Sequence, residues 1–154
     1  EKLGLKNPRF FGRSKQVVDP QTGESVTGGD GVIGEFEEPS AADDLILLLK
    51  KKFDVECVQT NELLRREIRS IALCGGSGSF LLKDAIAAGA DAFLTGEMGY
   101  HEYFGHEQEI QICVIGHYQS EQFTTEVLRD IIVRECPGVK CYLSEINTNP
   151  IGYF

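Results

Sequence analysis

Apolar and polar positions follow no steady period through residues 1–30 and become regular only from Gly31 onward. The early stretch is crowded with turn formers: Asn7-Pro8, Asp19-Pro20, Thr22-Gly23 and Gly28-Gly29-Asp30-Gly31. Residues 1–30 therefore read as an irregular loop or weakly packed hairpin, or as a linker between two lobes. Residues 31–154 read as an α/β domain. Residues 32–36 predict a short strand, and Ser40 with Asp43 three positions on resembles a capping box. Leu45, Leu48, Leu49 and Phe53 then recur at helical spacing. Residues 55–58 predict a strand, residues 61–67 a charged connector, and residues 68–74 a strand that runs into Gly75-Gly76-Ser77-Gly78-Ser79. A helix over 80–88 ends at Gly89, a left-handed cap. Residues 90–94 form the next strand, followed by Thr95-Gly96-Glu97 and a short helix over 100–106. The nearly unbroken apolar run 110–115 fits a strand covered on both faces. The last helix spans 120–135 with Phe123, Val127 and Ile131 on one face, and Pro137-Gly138 stops it. Residues 139–143 predict a final strand before an irregular tail. The alternation of strands and helices from residue 68 predicts a mixed or mostly parallel sheet flanked by helices, with right-handed crossovers.

Composition narrows the class of protein. With 154 residues, 42% hydrophobic and 25% charged, the chain is ordinary for one soluble globular domain. No apolar run is long enough for a membrane span, and no basic head precedes an apolar segment as in a signal peptide. The formal charge of −9 argues against general nucleic-acid binding, which needs clustered Lys and Arg. Cys57, Cys74, Cys113, Cys136 and Cys141 form no Cys-x-x-Cys and lie mostly in apolar runs. They read as reduced packing thiols of a cytoplasmic protein. The start at Glu1, inside what looks like a helix end over residues 1–5, reads as a fragment or processed chain.

The residues able to do chemistry gather after three successive strands, at 75–79, 95–101 and 116–121. In an open parallel sheet such loops share the carboxyl edge, where these folds bind ligands. His117 leaves its strand and Glu121 sits in the first turn of the next helix, so both can face one crevice. Imidazole and carboxylate together suit zinc, manganese or iron. The alternative is a turn histidine beside a glutamate that merely favours a helix N-terminus. Glu97 and His101 form a second carboxylate–imidazole pair, candidates for acid–base catalysis. His106 reads as surface. The glycine-rich loop has Leu81 where a dinucleotide fingerprint needs Gly, Ser79 where a nucleophile elbow needs Gly, and no Gly-Lys-Ser/Thr. It offers amides and hydroxyls at Ser77, Gly78 and Ser79 that suit an anionic substrate group, or it is simply a tight turn.

At these same residues the chain resembles the Nif-three-like family, whose members are also called GTP cyclohydrolase I type 2 homologues. The matching segments are Gly31-Val-Ile-Gly-Glu35, Cys74-Gly-Gly-Ser-Gly-Ser79, Ala90-Asp-Ala-Phe-Leu-Thr-Gly-Glu97 with Tyr100-His101, Gly116-His-Tyr-Gln-Ser-Glu121 and Asn149-Pro150. The resemblance implies the C-terminal half of a two-lobed α/β fold, with a dinuclear divalent-metal centre at the cleft and a homohexameric assembly. It implies His117 and Glu121 as ligands, places Glu97 and His101 in the same cavity, and puts the remaining ligands in an N-terminal lobe that this chain does not match. The expected function is that of a metal-dependent hydrolase-like enzyme of GTP cyclohydrolase type, acting on a nucleotide or related small molecule. A non-catalytic metal-binding regulatory or partner-binding protein is the second reading.

Overall fold

The computed structural model describes residues 2–13 and 15–152. Six strands form one sheet: β1 (Lys6–Phe11), β4 (Gly31–Ser40), β5 (Gln59–Thr60), β6 (Ile68–Cys74), β7 (Ala92–Thr95) and β8 (Gln111–Val114), in the order β1-β4-β6-β7-β8-β5. Its centre is parallel, β6 to β7 to β8, and β1, β4 and β5 run antiparallel on the flanks. The fold is therefore mixed α/β. Strands β2 (Lys15–Val18) and β3 (Ser25–Gly28) form a separate hairpin.

The core follows from the period of two along the central strands. Ala72, Phe93 and Ile112 point to one face and pack with Leu82 and Ala85 of α2 (Leu82–Ala87). Ile71, Leu94 and Cys113 point to the other and pack with Leu45 and Leu49 of α1 (Ala42–Phe53). Both layers are needed because parallel strands are buried on two faces. Every residue from 110 to 115 is buried, as the apolar run predicted.

Several elements differ from the expectation. Residues 6–28, read as an irregular loop or weakly packed hairpin or as a linker, hold three strands: β2 and β3 form the hairpin, whereas β1 pairs with β4 as an edge of the main sheet. Asn7-Pro8 falls inside β1, at a shift in its register against β4, while the later turn formers lie at the ends of short strands. Residues 55–58 are not a strand: Asp54, at φ 53, caps α1 in the left-handed region, and only Gln59–Thr60 reaches β8. Asn61 takes over the edge instead. Its Oδ1 accepts from Ile112 N (2.9 Å) and from Gln111 Nε2 (3.0 Å), and its Nδ2 donates to Ile110 O (2.9 Å). Ser40 does not cap α1, whose N-cap is Ala41 with no side-chain hydrogen bond. Ser40 Oγ is buried without a partner among the described residues. The last helix is broken into α3 (His117–Glu121) and α4 (Thr124–Glu135), and the strand expected at 139–143 is absent. Among the cysteines Cys113 is buried, whereas Cys57 and Cys136 are exposed. Lys2 and Leu3 form a turn, while Glu1, in the expected helix end, and residues 153–154 of the tail lie outside the described residues. Among the described residues no helix is long and apolar enough to cross a membrane.

Candidate metal centre

The site is assembled by register. Cys74 pairs with Thr95 and Thr95 with Val114, so the three central strands end level and their following loops open at one edge. Those loops are then bonded to one another. Gly76 O accepts from Gly96 N and Glu97 N, both at 3.0 Å, and Gly76 N donates to Ser120 Oγ (2.8 Å). Ser120 Oγ in turn donates to His117 O (2.7 Å), and Gly116 N donates to Gly96 O (3.1 Å). Buried Thr95 receives Gly78 N at its Oγ1 (3.1 Å) and donates to Gly76 O (3.3 Å). The amides of Gly76 and Gly78 are thus committed inside the protein. As an anion cradle, the loop is left with the Ser79 hydroxyl and amide at the start of a short 3-10 turn, Gly78–Leu81, because the Ser77 hydroxyl is given to Glu97.

Two glycines make this packing possible. Gly76 has φ +60, and a methyl group on it would stand 2.5 Å from Glu121 Oε1 and 3.4 Å from His117 Nε2. A methyl group on Gly96 would stand 2.7 Å from both Gly76 O and Ser120 Oγ. The absence of these methyl groups lets α3 press against the first loop.

Upon that floor stand three side chains. His117 and Glu121, the first and last residues of α3, are neighbours on the helix surface. His117 Nε2 lies 3.4 Å from Glu121 Oε2, and on the other side of the ring His117 Nδ1 lies 3.1 Å from Glu97 Oε1. The second Glu97 oxygen accepts from Ser77 Oγ at 2.5 Å. This hydrogen bond, against the opposing effect of desolvation and with His117 beside it, holds the Glu97 carboxyl below its ordinary range. Cys74, at the foot of the loop, is held as a thiol: burial first, then the carboxylates of Asp30 and Glu121, push its pKa up.

The donor set fits a divalent cation in part. Two ligands about 2.1 Å from one tetrahedral ion stand about 3.4 Å apart, which is the separation between Nε2 and Oε2. That gap is long for a charge-assisted hydrogen bond. Among the described residues, however, no three His, Cys, Asp or Glu side chains cluster so as to hold an ion. Glu97 meets the ring on its Nδ1 side, away from Nε2, and does not complete the pair. Beside His117 and Glu121 opens a cleft of about 760 Å³, whose far wall is the tail from Leu143 to Ile151 and whose lining carries Glu97, Glu121 and Glu126 but no Lys or Arg.

Of the residues singled out from sequence, the structure brings His117, Glu121, Glu97 and Ser77 together. His101 is exposed on the 3-10 turn Tyr100–Tyr103, packed near Gly99, and takes no part in these contacts. His106 bonds Glu109 Oε2 through Nδ1 (2.7 Å), away from the cleft. Sequence reasoning missed Gly76, Gly96 and Ser120 as the floor, although all three lie inside the loops it marked, and missed the tail as a wall.

The family model described as Duf34/NIF3 (NGG1p interacting factor 3) matches residues 1–150. A Pyrococcus abyssi protein called "GTP cyclohydrolase 1 type 2 homolog" is 34% identical over 111 residues, covering 71% of this chain and 44% of its own length. Among solved structures, Staphylococcus aureus protein SA1388 aligns with TM-score 0.72 at 26% identity, covering 85% of this chain and 45% of that one. A Bacillus cereus protein related to NIF3 aligns with TM-score 0.68 at 25% identity, over 86% of this chain and 37% of that one. The chain spans about half the length of the curated relatives it matches.

Proposed function

This chain belongs to the Duf34/NIF3 family, and on that premise we propose that it contributes His117 and Glu121 as ligands to a divalent-metal centre. The observation that carries the reading is the 3.4 Å gap between His117 Nε2 and Glu121 Oε2 over the bare Cα of Gly76. Mixed nitrogen and oxygen donors suit zinc, manganese or iron. Relatives of about twice this length have room for further ligands, and the complete site would then take two ions in a homohexamer.

In the full-length protein we place a hydrolase-like reaction of cyclohydrolase type on a nucleotide or similar small molecule, in the cytoplasm, where the free thiols stay reduced. A divalent ion bound here supplies Lewis acidity toward a substrate oxygen. His117 and Glu121 would hold the ion, and the acidic cleft beside them favours cations. Of the two proton-transfer candidates neither is free at the ion: both oxygens of Glu97 are engaged and His101 stands apart. That observation favours the second reading, metal binding without turnover, for this chain by itself.

The test is metal content. His117→Ala in the full-length protein is expected to lose bound metal, measured by elemental analysis, while His106→Ala keeps it. Equal occupancy in wild type and His117→Ala rules out the assignment. Release of product from a nucleotide panel, present with metal and absent after chelation, separates enzyme from binding protein.

A further inference from the structure

The geometry points to Glu97 as a positioning residue for His117, not an acid or base. A neutral imidazole carries one proton, and the nitrogen without it is the one that can bind a metal. His117 faces a carboxylate at each nitrogen: Glu97 Oε1 at 3.1 Å from Nδ1 and Glu121 Oε2 at 3.4 Å from Nε2. The shorter contact, at hydrogen-bonding distance, is with Glu97. Glu97 is itself aimed by the Ser77 hydroxyl, which donates to its other oxygen at 2.5 Å. Ser77 and Glu97 belong to two loops that are joined by the hydrogen bonds of Gly76 O to Gly96 N and Glu97 N. The carboxylate is therefore fixed at both oxygens and at its own backbone before any ligand arrives. A carboxylate so held keeps the proton on Nδ1, leaves the Nε2 lone pair beside Glu121 and raises the ring's basicity toward a cation, as partners of ligating histidines do.

The inference rests on His117 being a ligand, but its first test needs no metal. Nitrogen NMR of the metal-free protein, at a pH where the ring is neutral, is expected to show His117 protonated at Nδ1 in wild type. Glu97→Ala is expected to shift the proton to Nε2, toward Glu121, whereas Glu97→Gln, which keeps an acceptor oxygen, retains more of the Nδ1–H form. In the full-length protein zinc affinity is expected to fall roughly ten- to a hundredfold in Glu97→Ala and less in Glu97→Gln, with Tm unchanged because the side chain is half exposed. An Nε2–H tautomer in wild type, or no change of tautomer in Glu97→Ala, overturns the positioning role. Metal lost in His117→Ala but not in Glu97→Ala overturns it too. Metal retained in His117→Ala overturns the ligand reading alone, and the tautomer spectrum still decides the part played by Glu97.

Discussion

At the scale of single residues, the chain treats its carboxylates in two ways, and Asp91 shows the structural one. Burial pushes its carboxyl up, but hydrogen bonds from Arg69 N, the Arg66 guanidinium and Ser70 N outweigh burial, so it sits below the ordinary value. Those donors join the approach to β6 to the start of β7, at the end of the sheet opposite the site. A carboxyl depressed in the folded state adds stability that is complete above its unfolded pKa of about 3.9 and lost as pH falls through the lower folded value. Wild type is therefore expected to lose stability below about pH 4 more steeply than Asp91→Asn, in urea melts recorded across that range. At neutral pH the same substitution is expected to cost about 1–3 kcal/mol for the weakened charge-assisted bonds. His117 and Glu121 are legible in the sequence because their type and spacing already favour a shared face. The role of Glu97 is not legible, since which ring nitrogen it meets depends on the register of β7 against β8.

At the scale of elements, the loops hold together through groups that a sequence does not pair. Thr95 ends a buried strand and reads as one more β-branched residue, yet its hydroxyl receives Gly78 N and donates to Gly76 O. Thr95→Val keeps the shape and leaves the buried Gly78 amide without an acceptor. It is expected to destabilise the fold by about 1–3 kcal/mol, seen as a lower urea midpoint with an unchanged slope. An unchanged midpoint would mean that water replaces the lost bond. The central strands are legible because they are nearly continuous apolar runs buried on both faces, and Gly89, at φ +78, closes its helix as its type predicts. The edge elements are less so. Residues 55–58 carry a strand-like pattern, but Asn61 satisfies the β8 edge with its side chain and leaves only two residues to pair. The break between α3 and α4 escapes periodicity as well, because Gln122 and Phe123 are held by tertiary contacts: Gln122 Nε2 donates to Phe53 O (2.9 Å) and Phe123 meets the Phe53 ring edge-on.

At the scale of the whole molecule, the sheet and its two helical layers explain the position of the site but leave one helix without cover. In α4, Val127, Leu128, Ile131, Ile132 and Val133 are all exposed, and Val127 and Ile131 look across an open cleft to Leu3, Leu5, Phe53 and Leu73. The amphipathic stripe in the sequence correctly marks this face as apolar. It cannot say what the face meets, because the partner surface is not a local property of the chain. Contiguous exposed apolar surface of this kind favours association. The chain alone is expected to self-associate at micromolar concentrations, and Val127→Asp with Ile131→Asp is expected to shift it toward monomer in sedimentation velocity. Both substitutions fall on exposed positions, so the melting temperature should hold. Metal binding gives the companion measurement on the same samples. With His117 and Glu121 as its two candidate ligands for a closed site, this chain is expected to bind zinc far more weakly than a relative-length protein. Equal affinity in the two would mean that the site is complete within this chain, with Glu97 turned to join the ligands, and the positioning role would fall with it.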